Sequence, residues 1–258
     1  MTKEISDLKG IVLAGGAGTR LHPLTKVTSK QLLPIYNKPM IYFPLSTLIN
    51  IGIKEILLIS TPIDLKNFQA LLGDGSQWNV KISYEVQEKP NGIAESLVIA
   101  EDYIDDCDCI LILGDNLFYG PNIKDLIVDA YKANIGATIF GHKVPDPERY
   151  GVIEFQDKKV ISLEEKPNNP KSSWVATGLY IYDKRASQFA KKLKPSKRNE
   201  IEITDLNNTY LKEDKLNVQF LDSDNYWLDT GTFDALLEAS NFVRNIEKKT
   251  GNKISDLD

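Results

Sequence analysis

One stretch constrains this chain more than any other. The apolar run Ile11, Val12, Leu13 ends abruptly in Gly15, Gly16, Ala17 and Gly18, followed by Thr19 and Arg20. A short apolar run of this kind makes a fully buried strand. A loop so poor in side chains brings backbone N–H groups close to a ligand, because no Cβ stands in the way. Successive N–H groups turned inward form a concave anion site. Thr19 adds a hydroxyl and Arg20 a permanent cation, so the natural partner is a run of phosphates. The plainer alternative is a tight turn between strand and helix, which needs neither this many glycines nor an arginine.

Two common phosphate loops do not fit. A Walker A loop needs Gly-Lys-Ser/Thr after its second glycine, but Gly18 is followed by Thr19 and Arg20. The dinucleotide fingerprint, started at Gly16, meets Leu21 where its third glycine belongs. The acidic residue it expects about 20 residues further on is missing as well, since residues 30–38 contain no acid.

The chain has 258 residues. That suits one large domain with a substantial core. A net charge of −5 with no basic footprint argues against nucleic acid as a partner. No apolar run reaches membrane-spanning length, and residues 1–8 lack the apolar core of a signal peptide. A cytoplasmic location without a membrane partner is therefore expected. Cys107 and Cys109 stand too close together to staple a fold and have no second pair to complete a zinc site. His22 and His142 lack companions for metal or triad chemistry.

Hydrophobic spacing predicts alternating elements through the first half. Strands are expected near residues 56–59, 82–86 and 109–113, with helices over 39–51, 64–72, 93–103 and 123–133. Asp64 is a candidate N-cap. This order implies an α/β fold with a mostly parallel central sheet and helices on both faces. The second half is denser in strands, at 137–143, 151–155, 160–163, 175–182 and 216–221. Helices are expected at 186–193 and 204–213, and a long one over 232–249 with Thr232 as N-cap. No repeat or linker interrupts the chain, so residues 1–258 read as a single domain with a cleft between its halves. The boundaries are about 9–135, 136–231 and a final helix, 232–258.

Open α/β sheets bind ligands beyond the carboxyl ends of their strands. Besides the glycine loop, two motifs fall at such places. Asp115, in Gly114-Asp115-Asn116, can reach a metal or a ribose hydroxyl, or can simply form an Asp-Asn turn. Asp229, in Trp227-Leu228-Asp229-Thr230-Gly231-Thr232, can favour the start of the helix that follows. Together the two aspartates suggest a Mg²⁺ site, because Mg²⁺ takes one or two carboxylates plus substrate phosphates. Gln87 carries a donor and an acceptor that match a pyrimidine edge, with the Gly92 backbone beside it; a polar loop is the plainer reading there.

The string Leu13-Ala14-Gly15-Gly16-Ala17-Gly18-Thr19-Arg20-Leu21 resembles the signature loop of the sugar-1-phosphate nucleotidylyltransferases. Ser29-Lys30-Gln31-Leu32-Leu33-Pro34 and Lys38-Pro39-Met40-Ile41-Tyr42 resemble one branch, the glucose-1-phosphate thymidylyltransferases. The resemblance runs from Gly10 to about Lys249 and implies a Rossmann-like sheet with an inserted sugar-binding β-rich lobe. It implies transfer of a nucleotidyl group from dTTP to α-D-glucose 1-phosphate, with UTP or another hexose 1-phosphate as the alternative. A non-catalytic nucleotide-sugar sensor is the other reading.

By the same carry-over, Leu13, Gly15, Gly16, Gly18, Thr19, Arg20, Lys30, Gln31, Gln87, Gly92 and Asp115 hold the nucleotide. Tyr150, Gly151, Glu165, Lys166, Thr177, Tyr180 and Arg198 hold the sugar phosphate. Asp115 and Asp229 bind Mg²⁺, and Arg20, Lys30, Lys166 and Asp115 carry the catalysis. Three residues depart from the pattern: Asn91 replaces aspartate, Asn199 replaces glycine, and Ala176 replaces valine. The last widens the sugar pocket, a change worth ~1–3 kcal/mol in selectivity. Typical members continue some tens of residues beyond Asp258 into helices that help form an effector site and subunit contacts, so feedback control is not carried over. A homo-oligomer, tetramer or dimer, is implied.

Overall fold

The computed structural model describes residues 3–257 except Ala17 and Lys158. Ala17, the one side chain inside the glycine loop, therefore lies outside the described residues. The first half runs β1 (Lys9–Ala14), β2 (Pro34–Ile35), β3 (Lys38–Pro39), α1 (Tyr42–Ile51), β4 (Glu55–Ser60) and α2 (Leu65–Leu72). It continues through β5 (Lys81–Val86), α3 (Glu95–Ile99), α4 (Glu101–Ile104), β6 (Cys109–Leu113), β7 (Asn116–Tyr119) and α5 (Ile123–Ala133). The second half is β8 (Ala137–Lys143), β9 (Gly151–Gln156), β10 (Lys159–Glu165), β11 (Trp174–Tyr182), α6 (Ala186–Ala190), α7 (Ile203–Lys212), β12 (Leu216–Phe220), β13 (Tyr226–Asp229) and α8 (Phe233–Thr250).

The main sheet has the order β10-β9-β11-β6-β1-β4-β5, with β8 also on β11 and β12 parallel on β8. Its centre, β6-β1-β4-β5, is parallel throughout. The second half attaches through β11, which runs antiparallel to β6, β8 and β9. This is the expected α/β sheet, extended by an antiparallel lobe. Strand alternation sends Val12, Leu58, Ile110 and Ile112 to one face, against α1, α2 and α5. Ile11, Leu13, Leu57, Ile59 and Leu111 go to the other, against α3, α4, α6 and α7. Both faces are covered, which is why the central strands read as continuous apolar runs.

Four local expectations are corrected. The helix expected over 39–51 begins only at Tyr42, because Lys38–Pro39 pairs with Pro34–Ile35 and Met40 N–H donates to Leu33 O across the same hairpin (2.9 Å). The helix expected over 93–103 is two short pieces, broken where Ala100 adopts ψ 5°. The helix at 186 stops at Ala190, five residues before Pro195, whose ring disfavours helical backbone at the residue before it. Asp64 precedes α2, but its side chain caps nothing; it accepts from Thr61 Oγ1 instead (2.8 Å).

The strand pair β7–β13 went unread in the sequence. It is an antiparallel ribbon outside the main sheet, with Asp229 opposite Asn116 and Trp227 opposite Phe118. Met40, Phe43, Leu117, Ala239 and Val243 pack beside it in a third small core that also holds α8. Thr232 caps α8 as expected, its Oγ1 accepting from Ala235 N–H at 3.2 Å. Removing a cap of this kind costs ~1 kcal/mol. Thr232→Ala is therefore expected to lower Tm by about 2–4 °C, and Thr232→Ser to restore most of the loss. Calorimetric melts of the three proteins check this.

Candidate active site

A cavity of ≈ 520 Å³ opens beyond the carboxyl ends of β1 and β6. Of the residues expected from sequence, Leu13, Gly15, Arg20, Lys30, Gln31, Asp115, Tyr150, Gly151, Glu165, Lys166, Thr177, Tyr180, Arg198 and Asp229 all line it. Gly16, Gly18, Thr19, Gln87 and Gly92 are not on its wall. Gly16 and Gly18 take φ +97° and +56°, left-handed backbone that glycine adopts without strain.

Gln87 is buried directly behind Gly15. A Cβ on Gly15 would stand 2.8 Å from Gln87 Oε1, so any other residue there would push the Gln87 amide aside. The Gln87 amide nitrogen donates to Gly92 O (3.1 Å) and to Glu95 Oε2 (2.8 Å). Both donor hydrogens are thereby used, and Oε1 is the group left facing Gly15. The departure at Asn91 has a structural partner: its amide donates to the other Glu95 oxygen at 2.8 Å.

Asp115 follows β6 directly, and Asp229 ends β13. The ribbon register brings them together although 114 positions separate them in the chain. Thr230 Oγ1 donates to the Asp115 carbonyl at 2.8 Å, fixing the crossing. Lys30 Nζ is ion-paired with Asp115 Oδ2, and Asn116 Nδ2 donates to Oδ1 at 3.0 Å. Burial works to raise the Asp115 pKa, but the Lys30 charge and these hydrogen bonds outweigh it, leaving the carboxyl below its ordinary value. Asp229 moves the other way. Burial raises it first, and the Asp115 charge adds to the rise; Lys30, Arg20 and Arg149 only partly offset them. Arg20 reaches in from the glycine loop, its Nη2 3.0 Å from where a Cβ on Gly231 would stand.

Several wall residues were missed as site candidates. Asn116 is the most connected: its Oδ1 also accepts from Gly178 N–H at 3.0 Å and from Trp227 Nε1–H. A Cβ on Gly178 would fall 2.4 Å from that oxygen, so glycine is required for the approach. Its adjacency to Asp115 was the available signal. Arg149, Trp227, Glu200, Glu202 and Thr204 also line the cavity. Trp227 meets the Tyr150 ring edge-on at 5.4 Å. Burial and the Asp229 charge raise the Tyr150 phenol, keeping it protonated at neutral pH.

At the far end, Thr204 Oγ1 donates to Glu165 Oε2, and Lys166 Nζ stands 3.7 Å from Glu165 Oε1. Lys166 itself sits at φ +45°, held by its N–H to Tyr150 O (2.9 Å). β11 loses its pairing with β8 between Ala176 and Tyr180, which frees the backbone around Thr177 and Gly178 to face the cavity.

Asp115 and Asp229 present hard oxygen donors beside each other, and their mutual repulsion is only partly relieved by Lys30 and Arg20. Among the described residues no third acidic, histidine or cysteine ligand joins them. That donor set fits a divalent cation completed by substrate phosphates rather than an all-protein cage. Because the fold raises the Asp229 pKa, the native state holds its proton more tightly than the unfolded chain does. The ionised carboxylate therefore weakens the fold increasingly as pH rises above the ordinary carboxylate range. Asp229→Asn is expected to melt higher than the parent in metal-free buffer at pH 7, with the gap closing below about pH 4. A lower Tm at pH 7 would contradict this.

The comparisons follow the same geometry. The sequence model of the nucleotidyl transferase family matches residues 9–246. The glucose-1-phosphate thymidylyltransferase of Neisseria gonorrhoeae is 52% identical over 241 residues, covering 93% of this chain and 84% of that one. The enzyme of the same name from Mycolicibacterium smegmatis is 50% identical over 248 residues, 96% and 86% of the two chains. A crystal structure from Bacillus anthracis, described as a glucose-1-phosphate thymidylyltransferase in complex with a sucrose, superposes with a TM-score of 0.86 at 41% identity, covering 92% of this chain and 96% of that one. This chain thus belongs to the nucleotidyl transferase family, in the group of the glucose-1-phosphate thymidylyltransferases.

Proposed function

We propose that the protein joins dTTP to α-D-glucose 1-phosphate, releasing pyrophosphate and forming dTDP-glucose. The observation that carries this is one cavity with a separate cluster of cations and carboxylates at each end. Arg20, Lys30, Asp115 and Asp229 lie toward the glycine loop, while Glu165, Lys166 and Arg198 lie toward the antiparallel lobe. A triphosphate suits the first end and a sugar phosphate the second. The nucleotide set is Leu13, Gly15, Gly16, Gly18, Thr19, Arg20, Lys30, Gln31, Gln87, Gly92 and Asp115. The sugar-phosphate set is Tyr150, Gly151, Glu165, Lys166, Thr177, Tyr180 and Arg198. Gln87 offers Oε1 to the N3–H of a pyrimidine, since its amide hydrogens already have partners.

In this reading a phosphate oxygen of the sugar phosphate attacks the α-phosphorus in line as the bond to pyrophosphate breaks. The attacking oxygen is already anionic, so no general base is needed. Lys166 and Arg198 align it, and Arg20 and Lys30 hold the triphosphate. Lys30 exchanges part of its pairing with Asp115 for the phosphates. Catalysis is then alignment and charge stabilisation. Asp115 and Asp229 hold Mg²⁺, which when bound neutralises phosphate charge. Residues 9–135 form the nucleotide half and 136–231 the sugar half; the closing helix expected over 232–258 is α8, which ends at Thr250. A cytoplasmic location goes with nucleotide and sugar-phosphate substrates; among the described residues no helix is long and apolar enough to cross a membrane. A homo-oligomer, dimer or tetramer, is supported by the exposed apolar side chains Tyr226, Phe233 and Leu237 along β13 and α8.

Pyrophosphate release, measured over a panel of nucleoside triphosphates and hexose 1-phosphates, tests the assignment. Highest kcat/KM is expected with dTTP and glucose 1-phosphate; a sharp preference for UTP or another hexose would overturn that substrate choice. Arg20→Ala is expected to fold normally and lose about 10²–10³ in kcat, as measured in the same assay. Asp115→Asn and Asp229→Asn are each expected to raise the Mg²⁺ concentration giving half-maximal rate, and a metal titration reads that shift.

A further inference from the structure

The end of the cavity that would receive the sugar phosphate is over-supplied with negative charge. Its cations are Arg198 and Lys166, and three carboxylates, Glu165, Glu200 and Glu202, surround them. All three reach Arg198. Nη2 is ion-paired with Glu200 Oε2, Nε stands 3.3 Å from Glu202 Oε1, and Nη1 stands 3.5 Å from Glu165 Oε1. An incoming phosphate dianion therefore meets a local excess of negative charge and a guanidinium whose donors are already directed at carboxylates.

The three carboxylates differ in how firmly they are held. Glu165 Oε2 accepts from Thr204 Oγ1. Glu202, only 8% exposed, accepts from Ser196 Oγ at 2.7 Å. Glu200 is 35% exposed, and Arg198 is its side-chain partner among the described residues. The pairing is built by the backbone. Ser196 N–H donates to Glu200 O at 2.8 Å, and Asn199 N–H donates to Ser196 O at 2.9 Å. Asn199 turns through φ +60°, which sets Arg198 and Glu200 side by side. Asparagine tolerates that left-handed conformation better than most residues, so the turn forms without glycine.

We propose that Glu200 is an internal counter-ion that competes with the sugar phosphate for Arg198 and so sets the affinity of this end of the site for phosphate. This rests on the sugar-phosphate role of Arg198 given above. A carboxylate oxygen on the guanidinium fork occupies the geometry a phosphate oxygen would use. Glu200 is the partner with room to leave, because it is part-exposed and its carboxylate is rehydrated on release. An isolated inorganic phosphate must displace it with no other contacts. A hexose 1-phosphate displaces it while also gaining hydroxyl contacts in the lobe, so both ligands meet the same competition and the second offsets it with further contacts. Glu200 is thus a positioning residue for Arg198 and makes no contact with the reacting atoms.

Glu200→Gln removes the charge and keeps the volume. Its KM for glucose 1-phosphate is expected to fall roughly 2–5-fold, the range of a part-exposed ion pair, with kcat unchanged or lower and KM for dTTP unchanged. Calorimetric affinity for inorganic phosphate is expected to rise by a similar factor, because both ligands displace the same carboxylate. The phosphate titration needs no turnover, so it still reads the competition if the assigned reaction proves wrong. Arg198→Ala with and without Glu200→Gln separates competition from a general field effect. The Glu200→Gln gain vanishes in the Arg198→Ala background if Glu200 acts through Arg198. An unchanged or weaker phosphate affinity in Glu200→Gln, or a gain that persists without Arg198, would overturn the proposal.

Discussion

Asn116 ties the separate parts of this site into one. Its side-chain nitrogen donates to Asp115, and its side-chain oxygen accepts from Gly178 in the antiparallel lobe and from Trp227 in the second strand of the ribbon. Those partners come from three distant stretches of chain. The residue is buried and both ends of its amide are used. Loss of such a group leaves several polar partners without a match, a cost larger than one hydrogen bond. The nucleotide end and the sugar end keep a fixed spacing because both are referred to this amide.

Around that tie the fold tolerates a charge arrangement that a purely structural core would avoid. Asp115 and Asp229 are both part-buried on the cavity wall, and the Asp115 charge makes Asp229 harder to ionise. Lys30 resolves the conflict for Asp115, whereas Asp229 remains raised. At the far end, Arg198 sits among three carboxylates. Violations of local electrostatic preference cluster where a site must receive charge from outside. Here they bracket one cavity at both ends, where Arg20, Lys30, Lys166 and Arg198 are the cations open to exchange a carboxylate for a phosphate.

Much of the parallel core was legible in the chain. The apolar runs at 11–13, 56–59 and 109–113 are buried on both faces, so they lack alternation and stand out as continuous stretches. Thr232 announced the last helix because capping is a local event. What escaped was non-local. The hairpin at 34–39 is two residues per strand and looked like the start of α1. The ribbon β7–β13 is formed by two four-residue strands far apart in sequence, each beside a motif with a polar reading of its own. Asp64 looked like a cap, but its carboxylate found the Thr61 hydroxyl closer to hand.

The sequence by itself determined the chemistry on offer: a side-chain-poor loop after a buried strand, an arginine beyond it, and aspartates and lysines in compact motifs. These follow from residue type and short spacing, which the chain carries in full. Tertiary structure alone decided which of them meet. The register that sets Asp229 opposite Asn116, the Lys30 pairing that holds the Asp115 pKa down while that of Asp229 is raised, and the approach of Glu165 to Arg198 all depend on which surfaces face each other after folding. Charge interactions act through distance and local dielectric, and neither quantity exists until the chain has packed.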